Sequence, residues 1–298
     1  MSLPKFTYVA PASLDEAVTL AADLGDKCVF IAGGTDILVA MKDRVITPEW
    51  VIDLKGIPGM DELSYIPGEG LKVGALAKLR AIETSEIVLE KYLAVADAAH
   101  SMACRQIRAK GTMAGNLCNA SPCADMTPIL LALNASVKTF RKHPECGRTI
   151  PLQDFFIGLK KTALTRDEIV TQIEIPEPGP RECAAYVKHT FRKAMDIGIV
   201  GAAAWLKMDG ETCVDCRIAL GGAGPTAIRA YGAEALLVGQ RLTGALIDEV
   251  GVRAAECCSP RRDVGPRRYH RVHPEYRKDM IRVFTVRSIR RALERRGI

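Results

Sequence analysis

The chain lacks the long apolar segments of a membrane protein. No apolar run reaches the roughly 20 residues that a transmembrane helix needs. The first residues, MSLPKFTYVAPASLDEA, lack the apolar core of a secretory signal. We therefore expect a soluble, cytoplasmic protein with no membrane span. With 298 residues, of which 48% are apolar, the chain can bury substantial cores and is long enough for two or three domains.

The sequence also lacks a disulfide framework and a complete metal motif. Its ten cysteines are scattered along a large chain without a signal, so reduced thiols are the better interpretation. The one CxxC motif, Cys213 and Cys216, lies in ETCVDCRIAL, where alternation and the preceding Asp209-Gly210 predict a hairpin strand. A structural zinc site needs a second ligand pair at suitable spacing, and none follows. We expect no metal site, and a zinc-binding module stays as a disfavoured alternative.

Acidic residues are scarce at the C-terminal end. Residues 261–298 carry 13 Lys or Arg against 4 Asp or Glu, while the whole chain has a formal charge of +6. Such a tail could contact nucleic acid. However, apolar residues at helical spacing in PEYRKDMIRVFTVRSIRRALERR predict a helix with arginine on its solvent or partner face, and stacking aromatics are few. We therefore expect no nucleic-acid binding. The preceding loop is instead expected to lie along a neighbouring subunit through Arg261, Arg262, Arg267 and Arg268.

Two common phosphate-binding motifs are absent: no GxxxxGK[ST] occurs, and no GxGxxG follows a strand and opens a helix. Two other glycine-containing stretches stand out, AGGTD and TMAGNLCNASPCAD. The first joins a predicted strand, CVFIA, to a predicted helix. The second is too irregular for a helix and too polar for a buried strand. Glycine lets backbone N–H groups approach a phosphate, and Thr, Ser and Asn add donors without bulk. The two stretches could jointly hold one pyrophosphate, although ordinary turns would have the same composition.

The order of predicted elements indicates an α+β protein. SLDEAVTLAADLGD carries a capping box, with Ser13 as N-cap and Glu16 at N3 of a helix. EIVTQIEIP is a predicted strand that ends before EPGPRE, which has the composition of a linker. The region after the linker begins with strands and ends in helices. We predict one domain at residues 1–177 and a smaller α+β domain at residues 178–298.

Four stretches carry a resemblance that covers essentially the whole chain: FIAGGTDILVAMK, GTMAGNLCNASPCADMTPILLALNA, IPLQDFFIGLKKTAL and YVKHTFRKAMDIGIVGAA. In this order they resemble the FAD-binding medium subunit of the molybdenum hydroxylases, the family of xanthine dehydrogenase and carbon monoxide dehydrogenase. The resemblance implies an FAD-binding region like that of vanillyl-alcohol oxidase, with subdomains at about 1–58 and 59–177. A smaller C-terminal domain would follow it.

The resemblance also implies which residues bind FAD. The first loop, along the flavin and pyrophosphate, comprises Ala32, Gly33, Gly34, Thr35, Asp36 and Ile37. The second, around the phosphates, comprises Thr112, Gly115, Asn116, Asn119 and Asp125. Asp125 is expected on the ribose or adenine side, unless it only caps the following helix. Lys188 is expected near the isoalloxazine ring, where its charge would raise the flavin potential, unless it is a solvated lysine on an exposed strand.

Three further positions take their interpretation from the same comparison. Cys118 and Cys123 are expected to be small packing residues in apolar positions of the second loop. Ile197 falls where some relatives have an aromatic residue beside the flavin.

In such a subunit the flavin carries the chemistry, so the resemblance implies no catalytic acid, base or nucleophile in this chain. Electrons would arrive one at a time from an iron–sulfur cluster and leave as a hydride to NAD or another acceptor. The molybdenum cofactor would belong to a large partner subunit. The two-iron two-sulfur clusters would belong to a small one, since cysteine-rich cluster motifs are absent from this sequence. The alternative is a stand-alone flavin oxidase, for which the C-terminal domain is small.

Overall fold

A computed structural model describes residues 2–142, 147–192, 194–260 and 272–297. Within these residues the strands form sheets of three, five and four strands and one two-stranded hairpin, with helices between and around them. This architecture confirms the predicted α+β class. The domain boundaries near residues 58 and 177 stay a prediction. No helix in the described part of the chain is long and apolar enough to cross a membrane.

The first sheet is parallel, in the order β1-β3-β2. Its elements are β1 Thr7–Val9, α1 Leu14–Leu24, β2 Cys28–Ile31, α2 Ile37–Lys42 and β3 Trp50–Asp53. At the start of α1, Ser13 Oγ accepts a hydrogen bond from Glu16 N at 3.2 Å, and Glu16 Oε2 accepts one from Ala12 N at 2.8 Å. The predicted N-cap is therefore confirmed. Residues 32–36 follow the carboxyl end of β2 and lead into α2.

The second sheet is antiparallel, in the order β4-β5-β10-β6-β7. Its elements, with the hairpin β8-β9, are β4 Leu63–Ile66, β5 Gly70–Gly74, α3 Leu79–Thr84, α4 Glu86–Lys91, α5 Leu93–His100, α6 Arg105–Arg108, α7 Met113–Cys118, α8 Met126–Ala132, β6 Ser136–Phe140, β7 Thr149–Pro151, α9 Leu152–Phe155, β8 Phe156–Gly158, β9 Lys161–Thr162 and β10 Ile169–Ile175. Helix α8 is buried at every position, which makes it the centre of this part of the fold.

The third sheet is antiparallel, in the order β11-β12-β13-β14. Its elements are β11 Glu182–His189, β12 Val200–Asp209, β13 Thr212–Gly221, β14 Ile228–Arg229, α10 Tyr231–Leu237, α11 Gly244–Glu256 and α12 Pro274–Arg296. The hairpin predicted at Asp209-Gly210 is confirmed, with Gly210 at φ +56°. Cys213 and Cys216 are both buried on β13, where they donate weak hydrogen bonds to backbone carbonyls.

The second and third sheets share one hydrophobic core. Helix α8 packs against β12 and β13, and α5 packs against β11. Tyr186, Ala203, Trp205 and Ala219 of the third sheet belong to the same buried cluster as β5, β10 and α8. Side chains from β11 therefore reach the helices of the second sheet.

Helix α12 confirms the amphipathic helix predicted from the basic tail, and it buries Ile281, Phe284 and Ile289. The expectation that its arginines would lie on the solvent or partner face was wrong for Arg277 and Arg295. Arg277 is 6% exposed, and Arg295 Nη1 donates to Ala184 O at 3.0 Å. The reason is that these guanidinium groups satisfy buried carbonyls at the ends of the third sheet.

The remaining part of that tail prediction, which concerned Arg261, Arg262, Arg267 and Arg268, lies outside the described residues.

A buried ion cluster joins α3, α5 and α6. Glu83 receives hydrogen bonds from Arg108 Nε at 2.9 Å and Arg108 Nη2 at 3.1 Å, and it also contacts Arg80 at 3.0 Å and His100 at 2.7 Å. Burial would raise the pKa of Glu83, but the hydrogen bonds from these three partners outweigh it and lower the pKa to about 2. The carboxylate therefore stabilises the folded protein in its ionised form.

We expect Glu83→Gln to remove part of the acid sensitivity of folding. Because the folded-state pKa lies below the ordinary value of 4.5, the stabilisation is fully present above that pH and is lost as the pH falls towards 2. The substitution should cost about 1 to 3 kcal/mol at neutral pH. Urea unfolding between pH 7 and pH 3 would measure it. The control is Glu69→Gln, whose side chain is 59% exposed in its pair with Lys72. Parallel stability curves for Glu83→Gln and wild type would contradict the prediction.

Candidate functional site

The first glycine loop leaves consecutive backbone donors without protein partners. Among the described residues, the amide nitrogens of residues 33–36 donate no hydrogen bond to a protein acceptor. Gly34 has φ +76°, in the left-handed region where glycine is favoured. Successive free N–H groups in a turn suit an anion. The loop can therefore bind phosphate oxygens through its backbone alone.

The second stretch contains a helix, so the expectation that it would be too irregular for one was wrong. Helix α7 begins after Thr112, whose Oγ1 accepts a hydrogen bond from Gly115 N at 3.0 Å. This cap stabilises a short helix of modest intrinsic propensity. At its other end, Asn116 Oδ1 accepts from Met126 N at 3.4 Å, which links α7 to α8. Asn119, the C-cap, is half-buried.

The two loops touch at two points. A Cβ on Gly33 would lie 2.1 Å from Lys110 O and 2.8 Å from Gly111 Cα, so only glycine allows the backbones to approach this closely. Further along, Asn119 Nδ2 donates to Asp36 Oδ1 at 2.9 Å, and Lys160 Nζ donates to Asn119 Oδ1 at 2.7 Å. The first and second loops therefore form one continuous surface. Lys160 lies beside it, and Lys55 Nζ donates to Ala32 O of the first loop at 3.4 Å.

Asp125 and Lys188 form a buried ion pair across the linker. Their Oδ2 and Nζ atoms lie 2.9 Å apart, and their side chains are 11% and 8% exposed. Tyr186 OH donates to Asp125 Oδ1 at 2.9 Å. Burial raises the pKa of Asp125, against the opposing effects of Lys188 and Tyr186. Burial, followed by the charge of Asp125, raises the pKa of Tyr186 well above its ordinary value.

This pair excludes two of the alternatives considered from sequence. Asp125 is the N-cap residue of α8, but its side chain makes no capping hydrogen bond. Lys188 is not a solvated surface lysine, because its ammonium donates to Asp125, to Ser101 O at 3.1 Å and to Asp196 O at 3.2 Å. An ammonium has three N–H donors, so all of them are used within the protein. The aspartate expected on the ribose or adenine side and the lysine expected near the isoalloxazine ring therefore lie side by side.

A cavity of about 270 Å³ opens beside the pair. It is lined by Ser101, Lys188, Thr190, Arg192, Ala194 and Asp196. Ile197, at the position where some relatives have an aromatic residue beside the flavin, is 63% exposed on the same loop. Sequence reasoning missed the roles of Ser101, Tyr186 and Asp196. Tyr186 and Asp196 lie within the YVKHTFRKAMDIGIVGAA stretch, whereas Ser101 carried no signal because its contribution is a backbone carbonyl.

The expectation for the two loop cysteines was wrong. Cys118 is exposed and Cys123 is half-buried, so neither is a fully packed apolar residue. The physical reason is that α7 turns its buried face, with Met113 and Leu117, towards the core. Cys118, the last residue of α7, lies about 100° around the helix from Leu117, at the edge of that face.

The site as a whole fits a dinucleotide cofactor. Its backbone donors suit a pyrophosphate, the glycine junction keeps side chains out of the first loop, and the cavity adjoins a buried charge pair. Residues 4–178 match the FAD binding domain in molybdopterin dehydrogenase, and residues 185–292 match the CO dehydrogenase flavoprotein C-terminal domain. The chain belongs to the FAD-binding medium subunits of the molybdenum hydroxylases.

Relatives of this medium subunit align over nearly their whole length. It is 33% identical over 263 residues to the carbon monoxide dehydrogenase medium chain of Hydrogenophaga pseudoflava, covering 88% of this chain and 90% of that one. It is 28% identical over 293 residues to the xanthine dehydrogenase FAD-binding subunit of Escherichia coli O157:H7, covering 98% and 97%. The structure of carbon monoxide dehydrogenase from Hydrogenophaga pseudoflava lacking the Mo-pyranopterin moiety matches with a TM-score of 0.92, at 30% identity over 99% of both chains.

These similarities confirm the family inferred from the four sequence stretches. The cofactor of the medium subunit is FAD, and the chain is an oxidoreductase subunit.

We expect Gly33→Ala to weaken FAD binding at least about tenfold, equivalent to roughly 1.4 kcal/mol. The new Cβ would meet Lys110 O, a backbone atom that can move only with the second loop, so the two loops would separate. FAD dissociation constants from fluorescence titration of the apoprotein would measure the loss. Gly244→Ala is the matched control, because its Cβ would meet open space at the start of α11. Equal affinity for both variants would contradict a role for the loop junction.

Proposed function

We propose that the chain is the FAD-carrying electron-transfer subunit of a heteromeric molybdenum hydroxylase in the cytoplasm. It would work with a large molybdenum-cofactor subunit and a small two-iron two-sulfur subunit, and would pass electrons to NAD or another acceptor. The observation that carries the proposal is the first loop with its free backbone amides, held against Lys110 and Gly111 at Gly33, in a chain that also contains the buried Asp125–Lys188 pair. The relatives named above are subunits of dehydrogenases.

Within this proposal, the two loops bind the pyrophosphate of FAD. Amides of residues 33–36 supply donors, and Ala32 and Ile37 flank them. Thr112 and Gly115 hold the start of α7 in place. Asn116 fixes α7 to α8, and Asn119 joins both loops to Lys160. Backbone donors and one lysine suit the double negative charge of a pyrophosphate, since neutral donors hold an anion without the cost of burying further charges.

Asp125 and Lys188 are proposed to lie together at the flavin end of FAD. Bound FAD supplies the redox chemistry, receiving electrons singly and releasing a pair as a hydride. Because the Lys188 donors are all used, the pair would act through its electric field rather than through a new hydrogen bond. Fixed charges in a water-poor site act strongly on a nearby change of charge. The pair is formally neutral, so removal of either member exposes the charge of the other.

We expect opposite effects from the two members of the pair. Asp125→Asn leaves the ammonium uncompensated and should raise the flavin reduction potential, whereas Lys188→Met should lower it. The shifts should be on the order of 30 mV, about 1.4 kcal/mol for a two-electron couple. Spectroelectrochemical titration of the FAD-loaded chain measures both. Shifts of the same sign, or no shift in either variant, would place the pair away from the flavin.

NAD as the proposed acceptor is tested through the reverse reaction, the reduction of the flavin by NADH. If NAD accepts the electrons, anaerobic NADH should bleach the visible flavin absorption of the purified FAD-loaded chain. Dithionite serves as the control for reducibility. Bleaching by dithionite but not by NADH would exclude NAD as the acceptor while leaving the family assignment intact.

The proposed partners are tested by co-expression with the two other subunits. Substrate should reduce the flavin of the assembled complex, and the same substrate should leave the isolated chain oxidised. Turnover by the isolated chain would favour a stand-alone flavin oxidase instead.

A further inference from the structure

One short segment, residues 101–111, contacts both halves of the candidate site. Ser101 O accepts a hydrogen bond from Lys188 Nζ at 3.1 Å, and Ala103 O accepts one from Met195 N at 3.0 Å. At the other end, the backbone of Lys110 and Gly111 forms the junction with Gly33. The geometry of this segment therefore sets the position of Lys188 on one side and of the first loop on the other.

A single guanidinium group fixes the middle of this segment. Arg108 Nη1 donates to Met102 O at 2.6 Å, while its Nε and Nη2 donate to the two carboxylate oxygens of Glu83. The side chains of Arg108 and Glu83 are 9% and 6% exposed. An arginine makes these three bonds through its planar fork, whereas a lysine ammonium cannot span the same acceptors with the same geometry. Arg108 thus ties the 101–111 segment to α3.

Ala103, which follows Met102, has a backbone conformation that must be stabilised by its surroundings. Ala103 has φ +42°, in the left-handed region that a residue with a Cβ disfavours. Such a conformation persists only where surrounding contacts impose it. On one side the contact is the bond from Arg108 to the Met102 carbonyl, and on the other it is the bond from Met195 to the Ala103 carbonyl. The peptide that carries the Ser101 carbonyl is also held to α5, since Met102 N donates to Ala99 O at 3.2 Å. Without the Arg108 bond, the turn after that peptide loses the constraint on its Met102 carbonyl.

We infer that Arg108 and Glu83 are positioning residues for Lys188, acting through the carbonyl of Ser101. This inference rests on the proposed placement of Lys188 beside the flavin. Arg108 holds Met102, the turn at Ala103 directs the Ser101 carbonyl towards the ammonium, and Glu83 holds Arg108 in turn. When the carbonyl moves, the ammonium loses one of its three acceptors and its charge relocates. The flavin then experiences a different field although Lys188 itself is intact.

The test is Arg108→Lys in the full FAD-loaded chain, with the flavin reduction potential as the readout. The potential should shift in the same direction as in Lys188→Met. In the double variant, Arg108→Lys should add little to the shift of Lys188→Met, because both changes act through one ammonium. The control is Arg148→Lys. Arg148 makes the same bidentate contact with buried Glu168, at 2.8 and 2.9 Å, and contacts no residue of the candidate site among the described residues. Its potential should equal that of wild type.

The outcomes separate the inference from the function on which it rests. A shift in Lys188→Met with a wild-type potential in folded Arg108→Lys overturns the inference alone, and so do additive shifts in the double variant. No shift in Lys188→Met overturns the placement of Lys188, and the inference with it. If Arg108→Lys does not fold, Glu83→Gln takes its place, because it removes the charge that holds Arg108 while keeping a side chain of the same shape.

Discussion

The close approach of Gly33 to the backbone of Lys110 and Gly111 is the constraint on which the site depends. It brings together a loop of the first sheet and a loop of the second, which are far apart along the chain. This contact holds the free amides of the first loop beside the start of the second loop. The binding surface therefore does not exist until both sheets have formed and packed. A ligand that binds across this junction stabilises the packing of the two sheets by the free energy of its binding.

The buried charges of Asp125 and Lys188 likewise depend on contacts between distant parts of the chain. A buried ion is costly unless opposite charge and hydrogen bonds compensate it. Asp125 meets this condition through Lys188 and Tyr186, and Lys188 meets it through two carbonyls in addition. These partners come from three segments of the chain: Tyr186 and Lys188 from β11, Ser101 from the end of α5, and Asp196 from the loop after β11. The compensation of these buried charges therefore depends on how α5, β11 and α8 pack against one another.

Sequence reasoning succeeded where the physical cause is local. The capping box at Ser13, the hairpin at Asp209-Gly210 and the amphipathic spacing of α12 each depend on a few neighbouring residues, and each is present in the structure. It failed at α7, because that helix is short and is stabilised by the Thr112 cap and by packing rather than by propensity. The sequence could nominate Asp125 and Lys188 singly, but their mutual contact spans the linker and depends on the docking of the third sheet.

The burial of two arginines of α12 could not be predicted from the sequence either, because it depends on contacts with distant residues. The pattern of α12 correctly identified an apolar face, yet Arg277 and Arg295 lie against the sheet because carbonyls of Ile199 and Ala184 need donors there. A hydrophobic pattern records which residues avoid water, and it carries no information about which backbone acceptors lack partners.

The third sheet completes the site, although its residues follow the linker and match a different family domain. Tyr186 and Lys188 both project from β11 towards the helices of the second sheet, and both donate a hydrogen bond to the buried carboxylate of Asp125. Replacing Lys188 with an apolar side chain would leave that carboxylate buried without its cation, at a cost that exceeds the loss of an exposed ion pair. Tyr186, Trp205 and Ala219 of this sheet share the core of the second sheet as well. The two matched regions of the chain are therefore energetically coupled, and the charge that adjoins the cavity comes from the C-terminal one.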